Sequence, residues 1–262
     1  IPGDILFVNK GTPGRVCLVP DPVDFCIAQD MIALRADESK IYPKYLFAVL
    51  RSREIQQQIY NTNVGDVIPH FKKQFLNQLL IPIPERSIQE SIGDLYYVLS
   101  LKAERNKKIN DNLQQQAAAL FSSLYDRTNT EVRFTDLIQI LGGGTPKTGE
   151  NTYWNGNIAF FTPKDVGTPY TLSTEKTITE EGLSHCNSRL YPVNTVFVTA
   201  RGTVGKVGMS GVPMAMNQSC YALVGKETHQ LLVYFYTLKT VDRLKHKASG
   251  AVFDAITTRD FE

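Results

Sequence analysis

The chain repeats itself. Residues 2–16 read PGDILFVNKGTPGRV and residues 192–207 read PVNTVFVTARGTVGKV. Each stretch has a proline, an apolar core ending in Phe-Val, a basic residue, then G-T-x-G, a second basic residue and valine. The alignment places a one-residue insertion just before the first basic residue. Downstream, AQDMIAL (28–34) matches NQSCYAL (217–223), with Gln29 opposite Gln218. A helical stretch follows in both copies, 42–59 and 229–245, and then VGDVIPHFKKQFL (64–76) answers SGAVFDAITTRDF (249–261). Self-similarity over this length and in this order requires one domain type used twice, so a single architecture must accommodate both sets of side chains.

The copies are unequal. Residues 131–191 precede the second copy and have no counterpart before Ile1, while residues 77–125 follow the first and have none after Glu262. The chain therefore covers a little over one period of a longer pattern, and its opening at Ile1 rather than Met leads us to expect an earlier portion. At 262 residues there is room for two domains. The formal net charge of +2, from 28 basic and 26 acidic side chains, is too small to argue nucleic-acid binding from bulk charge, though local patches stay open. Cys17, Cys26, Cys186 and Cys220 lie far apart, without a CxxC pair or a Cys/His clip, so free thiols in a reducing compartment are expected and no metal site. No apolar run approaches the ~20 residues of a membrane helix, and no membrane role is expected.

Between the copies lies a long helix. Pro82 and Pro84 keep IPIP extended, and Ser87 with Glu90 three residues on suits a capping box. From there Ile88, Ile92, Leu95 and Leu99, then Ile109, Leu113 and Leu120, recur at steps of four and three. That is a coiled-coil seam, interrupted by Lys102, Asn106 and Gln116, and it implies a partner helix, with packing against the chain's own domains as the alternative. The run KAERNKK (102–108) reads as a solvated face.

LGGGTPKTGENTYW (141–154) has the look of a phosphate loop but fails as one. Pro146 stands where the last glycine of G-x4-G-K-[ST] belongs and has no N–H to offer, and the residues after it read as a turn rather than a helix. TARGTVGKV fails likewise, with Ala200 in the place of the first glycine.

Together, LGGGTPKTGENTYWNGNIAFFTPKDV (141–166), YPVNTVFVTARGTVGKVG (191–208), SGAVFDAITTRDF (249–261) and the IPIP-initiated helix resemble the specificity (S) subunits of type I restriction–modification systems. The resemblance covers nearly the whole chain. It implies a mixed α/β (α+β) fold: target-recognition domains with small mixed or antiparallel sheets, joined by a long coiled-coil-type helix. Residues 1–84 correspond to the C-terminal part of a first recognition domain, 85–126 to the spacer helix, and 130–262 to a second recognition domain lacking its following helix. The implied function is to read half of a bipartite double-stranded DNA target and to scaffold methyltransferase and restriction subunits in a prokaryotic cytoplasm. Neither catalysis nor a cofactor is implied. Standard members carry two complete recognition domains and two long helices. The shortfall fits a fragment, an interrupted gene product, or a half-size form that pairs with a second copy through the helix.

Within this frame Thr145, Lys147 and Thr148 of the glycine loop become candidate phosphate contacts, although the glycines alone also suit a plain surface turn. The G-T-x-G turns carry Lys10 and Arg15 in one copy and Arg201 and Lys206 in the other, a basic pair able to reach a phosphate or a guanine edge. The turn glycines have the same double reading, since Gly11, Gly14, Gly202 and Gly205 also suit a tight strand connection. Lys164 and Asp165 in FTPKDV, and Thr257, Thr258 and Arg259 in the late loop, complete the set, with Lys72 and Lys73 as first-copy counterparts. Two other functions are weighed. A protein scaffold with decayed recognition domains would keep only the helix. A Mg²⁺ nuclease would use Pro20-Asp21 with Glu38-Ser39-Lys40, a short pattern absent from the second copy. The four histidines are scattered, and none pairs with a Ser or Cys nucleophile.

Overall fold

Ile5, Leu6 and Phe7 are buried on both faces and open the first strand, with the buried Asp4 just before it. A computed structural model describes residues 1–62, 69–127, 132–167, 169–247 and 255–261. The glycine-led halves of the two late loops, 64–68 and 249–254, lie outside the described residues. The chain divides into two compact units, Ile1–Leu113 and Gln114–Glu262.

In the first unit, β1 (Ile5–Val8) pairs antiparallel with β2 (Val16–Leu18) on one side and β3 (Met31–Leu34) on the other. Helices α1 (Pro43–Leu50) and α2 (Arg53–Asn61) cover this sheet. Ile5, Phe7, Leu50, Ile55, Ile59 and Phe71 make a core in which each is at most 1% exposed. The sequence predicts one helix over 42–59. The structure breaks it at Arg51–Ser52, where the Ser52 hydroxyl accepts the Ile55 N–H and starts α2 afresh.

The long helix, α3 (Arg86–Tyr125), runs for 40 residues, about 60 Å at ~1.5 Å per residue. It begins one residue before Ser87, so the expected capping box does not form. Ser87 is inside the helix, and Glu90 pairs with Arg86 instead, at 2.8 Å. Its first turns are fastened to α1. The buried Gln89 accepts the Tyr42 N–H and donates to the Pro84 carbonyl, both at 2.8 Å. Gly93 lies so close that an added Cβ would be 2.6 Å from the Tyr45 nitrogen. Asp94 accepts from the Lys44 ammonium and the Tyr42 hydroxyl. The seam residues Ile88, Ile92, Leu95, Leu99, Ile109, Leu113 and Leu120 are instead between 45% and 63% exposed. The helix docks through Gln89 and Gly93 and leaves its apolar seam to solvent.

In the second unit the end of α3 is held by α6 (Gln230–Lys247). Phe121 stacks on Phe235 at 5.3 Å, and the Lys239 ammonium sits 3.7 Å from the Tyr125 ring centre. In chain order come α4 (Phe134–Leu137), β4 (Ile138–Gly142), β5 (Trp154–Phe161), β6 (Tyr170–Thr171), β7 (Lys176–Ile178), α5 (Glu180–Ser184), β8 (Val196–Thr199), β9 (Val207–Ser210), β10 (Met214–Met216) and β11 (Cys220–Gly225). One mixed sheet has the order β4-β11-β8-β9-β6, with only the β6–β9 pair parallel. A second, β10-β5-β7, is parallel at β10–β5 and antiparallel at β5–β7.

The repeat is visible as hydrogen bonding. The order β9-β8-β11 reproduces β2-β1-β3, with Val196 opposite Met209 and Leu223 as Ile5 is opposite Leu18 and Leu34. Gly14 N–H bonds the Val8 carbonyl and Gly205 N–H the Thr199 carbonyl; Phe71 N–H bonds Asn9 and Ile256 N–H bonds Ala200. The Gly14 and Gly205 carbonyls each accept a side chain from the covering helix, Gln56 in one unit and Lys245 in the other, both at 2.9 Å. These equivalences correct the sequence alignment. Asp4 N–H to Ile1 and Thr195 N–H to Pro192 carry the same register back to the start, so there is no inserted residue. Phe-Val in one copy is not Phe-Val in the other: Phe7 is equivalent to Val198, and Leu6 to Phe197.

Candidate nucleic-acid interface

The candidate surface in the second unit is built where three connections meet. Strand β4 ends in the glycine loop. A Cβ on Gly143 would overlap the Asn217 carbonyl oxygen, and one on Gly144 would be 2.6 Å from the Asn187 nitrogen. Glycine is thus required there by close approach rather than by a phosphate. Gly144 N–H bonds the Met216 carbonyl at 3.1 Å, and the Thr145 hydroxyl donates to the Gln218 side-chain oxygen. Lys147 and Thr148 are exposed beyond it, and the Lys147 carbonyl accepts the Trp154 indole N–H at 3.1 Å. After a single 3-10 turn at Asn151–Tyr153 the chain enters β5, not a helix, as the failed phosphate-loop pattern anticipates.

The second connection is the FTPKDV loop. Asp165 takes the Thr162 N–H (2.8 Å) and hydroxyl (2.6 Å) on one oxygen and the Glu175 N–H (2.8 Å) on the other. Its carboxylate is spent inside the protein, tying residues 162–165 to residues 175–176. The third connection is the G-T-V-G turn. Gly202 and Gly205 hold φ of 81° and 75°, the left-handed region open to glycine, and the Thr203 hydroxyl reaches the Pro163 carbonyl at 3.4 Å.

Thr162, Pro163, Lys164, Glu175, Lys176, Gly202, Thr203 and Asn217 line an open cleft of about 450 Å³. Its charge is two ammonium groups against one carboxylate. The Lys176 ammonium also lies 5.7 Å from the Trp154 ring centre, so Trp154 connects the cleft to Lys147. Of the residues selected from sequence, the structure brings Lys164 to this cleft directly, Thr145 through Gln218 beside Asn217, and Arg201 as the neighbour of Gly202. Thr257, Thr258 and Arg259 stand apart from the lining. They follow Ile256, whose N–H bonds Ala200, and place the late loop beside Arg201. The Thr257 N–H and hydroxyl both go to Asp260 at 2.7 Å, whereas Thr258, Arg259, Arg201 and Lys206 are exposed. Sequence reasoning missed Lys176 and Asn217, and took in Thr203 only as the threonine of the G-T-x-G turn. Gln218 was visible only as the repeat partner of Gln29.

In the first unit, Lys10 bridges His70, Gly11 N–H bonds the Pro69 carbonyl, and Lys10, Arg15, Lys72 and Lys73 are all exposed. The glycine and FTPKDV loops have no counterpart within that unit. The PD…ExK residues form no catalytic cluster. Lys40 pairs with Asp37 at 3.0 Å, the Ser39 hydroxyl donates to Asp37, and the Glu38 carbonyl accepts Arg86. Among the described residues no three His, Cys, Asp or Glu side chains gather as metal ligands would. All four cysteines are free, and burial pushes the Cys220 thiol up to about 12, as befits a core residue of β11. Among the described residues no helix is long and apolar enough to cross a membrane.

Comparison with known proteins decides the family. The model of the type I restriction modification DNA specificity domain matches residues 2–115 and again 127–262. The chain belongs to this family. Its specificity-domain relatives include the type I restriction enzyme MjaIX specificity subunit of Methanocaldococcus jannaschii, 31% identical over 127 residues, which are 46% of this chain and 29% of that protein. The EcoR124I/EcoR124II specificity subunit of Escherichia coli is 31% identical over 205 residues, 69% of this chain and 50% of its own length. The chain thus spans half or less of these curated relatives. A crystal structure of a type I restriction-modification S subunit from M. genitalium aligns over 99% of this chain and 69% of its own, with a TM-score of 0.64 at 16% identity, and shares the fold. The paired family matches coincide with the duplicated strand–turn–strand–helix order. The nuclease reading finds no support in these relatives.

Proposed function

We propose that this chain is a non-catalytic DNA-reading subunit of a type I restriction–modification complex, its second unit binding one half of a bipartite double-stranded site. The cleft that gathers Lys164, Lys176 and the Gly202–Thr203 turn carries the reading, because it is a concave, cationic surface of backbone turns with exposed donors around it. In this proposal Lys147, Thr148, Lys164, Lys176, Arg201, Lys206, Thr258 and Arg259 face DNA, and Lys10, Arg15, Lys72 and Lys73 do so in the first unit. Thr145, Asp165 and Thr257 act through the neighbours they hold. The exposed seam of α3 supplies the scaffold. Eight apolar side chains on one helix, with Val98 added to the seven read from sequence, suit a partner helix from the methyltransferase subunits or from a second copy of this chain.

Phosphate contacts release counterions, so each one adds about 0.9 to the slope of log affinity against log salt. Binding of the purified chain to duplex DNA should weaken steeply with salt. Lys164→Ala and Lys176→Ala should each lower the slope by about 1 without altering sequence preference. Binding that ignores salt, or slopes that both substitutions leave unchanged, would refute the assignment. A scaffold with decayed recognition domains would bind no duplex at all.

A further inference from the structure

The Gln218 side chain is presented on a turn that is tied down from three directions. The Asn217 N–H bonds the Phe161 carbonyl at the end of β5 (3.0 Å), and the Ala200 N–H bonds the Ser219 carbonyl at the end of β8 (2.8 Å). The Gly144 N–H bonds the Met216 carbonyl from the glycine loop (3.1 Å). The Asn217 side chain is turned back onto the Ser219 N–H (3.0 Å). Asn217 and Ser219 are half-buried, leaving Gln218 as the exposed side chain of the turn. A surface glutamine without a partner is free to sample many rotamers. This one is fixed by the Thr145 hydroxyl, which donates to its Oε1, and Thr145 reaches it because Gly143 lets the loop lie against residues 216–217 and Gly144 lets it lie against Asn187. Among the described residues the Nε2 group donates to nothing.

From this placement, and resting on the DNA-reading proposal above, we infer that Gln218 reads an adenine in the major groove and that the glycine loop exists to hold it there. The chemistry selects adenine. An amide offers one acceptor and one donor side by side, matching the N6 amino group and N7 of adenine, and Oε1 retains a second lone pair after accepting from Thr145. Guanine presents two acceptors, N7 and O6, so its O6 would face Oε1. Lys164 and Lys176, in the cleft lined by Asn217, would hold the flanking phosphates while a locked amide supplies discrimination. Thr145 is a positioning residue in this scheme.

The test is selection from randomised duplex DNA with the full chain. The native protein should enrich a site with adenine at one position. Gln218→Ala should lower the preference for adenine there by about 5- to 150-fold, from the ~1–3 kcal/mol of a bidentate base contact, and leave the other positions and the salt slope unchanged. Thr145→Val, which keeps the shape and removes the hydroxyl, should lower the same preference by a smaller factor. Replacing that adenine with 7-deazaadenine should weaken native binding and leave Gln218→Ala indifferent. A thermal transition at the native temperature establishes that the variants are folded. If Gln218→Ala enriches the same site with the same selectivity, or loses affinity equally for all bases, the inference is overturned while DNA reading survives. If the native chain enriches nothing, DNA reading itself falls.

Discussion

Gly142 and Gly143 are neighbours in one glycine triplet, yet the structure assigns them opposite responses to a methyl group. An alanine Cβ at position 142 meets nothing within 4 Å. Gly142 ends β4, where alanine stabilises chiefly by restricting the unfolded chain, by about 0.5–1 kcal/mol. At position 143 the Cβ would overlap the Asn217 carbonyl and lie 2.6 Å from that of Met216. Relief requires the loop to retreat by about 1 Å, beyond the range of a hydrogen bond for Gly144 N–H to Met216, now 3.1 Å. The Thr145–Gln218 bond goes with it. Two hydrogen bonds at about 0.5–1.5 kcal/mol each, less the same unfolded-chain gain, leave a loss centred near ~1 kcal/mol. The unfolded-chain gain is common to both variants, so they should differ by the two bonds, about 1–3 kcal/mol. For a unit of this size that separates their melting temperatures by about 2–12 °C, with Gly142→Ala above the native protein and Gly143→Ala below it. Differential scanning calorimetry of the full chain, following the transition of the second unit, reads this directly. Equal melting temperatures, or Gly143→Ala the more stable, would refute the claim that close approach to residues 216–217 is what requires the glycine.

Asp165→Asn gives a test by sign. Removing a negative charge beside the cleft lysines would strengthen duplex binding if electrostatics alone governed, whereas the bonds to Thr162 and Glu175 predict weaker binding, by a few-fold, because the two loops that present Lys164 and Lys176 come apart. Fluorescence anisotropy at fixed salt decides it, and tighter binding would refute the positioning role. In the first unit, the Arg35 guanidinium, at 2.7 and 2.8 Å from the two Asp4 oxygens, holds that carboxyl well below the usual carboxylate range, with burial opposing. A carboxyl depressed on folding stabilises above its ordinary pKa of about 4, and that stabilisation is lost as pH falls through the folded value. Arg35→Leu should accordingly lower the urea midpoint of the first unit at pH 7 and do so progressively less below pH 4. A gap that stays constant with pH would contradict the linkage.

The duplication and the long helix were legible because each is written redundantly. Four matched segments in one order survive an error in any one of them, and the 88–120 apolar spacing persists over many turns. The register of the repeat was not legible, because Phe-Val occurs in both strand cores one position out of step, and only the paired bonds of Gly14 to Val8 and Gly205 to Thr199 distinguish the two alignments. The helix start failed for a related reason. Ser87 and Glu90 fit a capping box locally, but Gln89 and Gly93 must face α1, and that docking, with the Arg86–Glu90 pair, sets where the helix begins. The candidate surface was half legible. Lys164 and Arg201 stand out beside turn glycines, whereas Lys176 is an unremarked lysine until β7 is paired to β5 and Asp165 ties its loop to Thr162. The glycine triplet marks the boundary between the two kinds of information. Its composition announces that something approaches the backbone closely, which invited a phosphate. The sheet order, with β11 between β4 and β8, brings the 216–218 turn against it, so the approaching group is the protein's own chain.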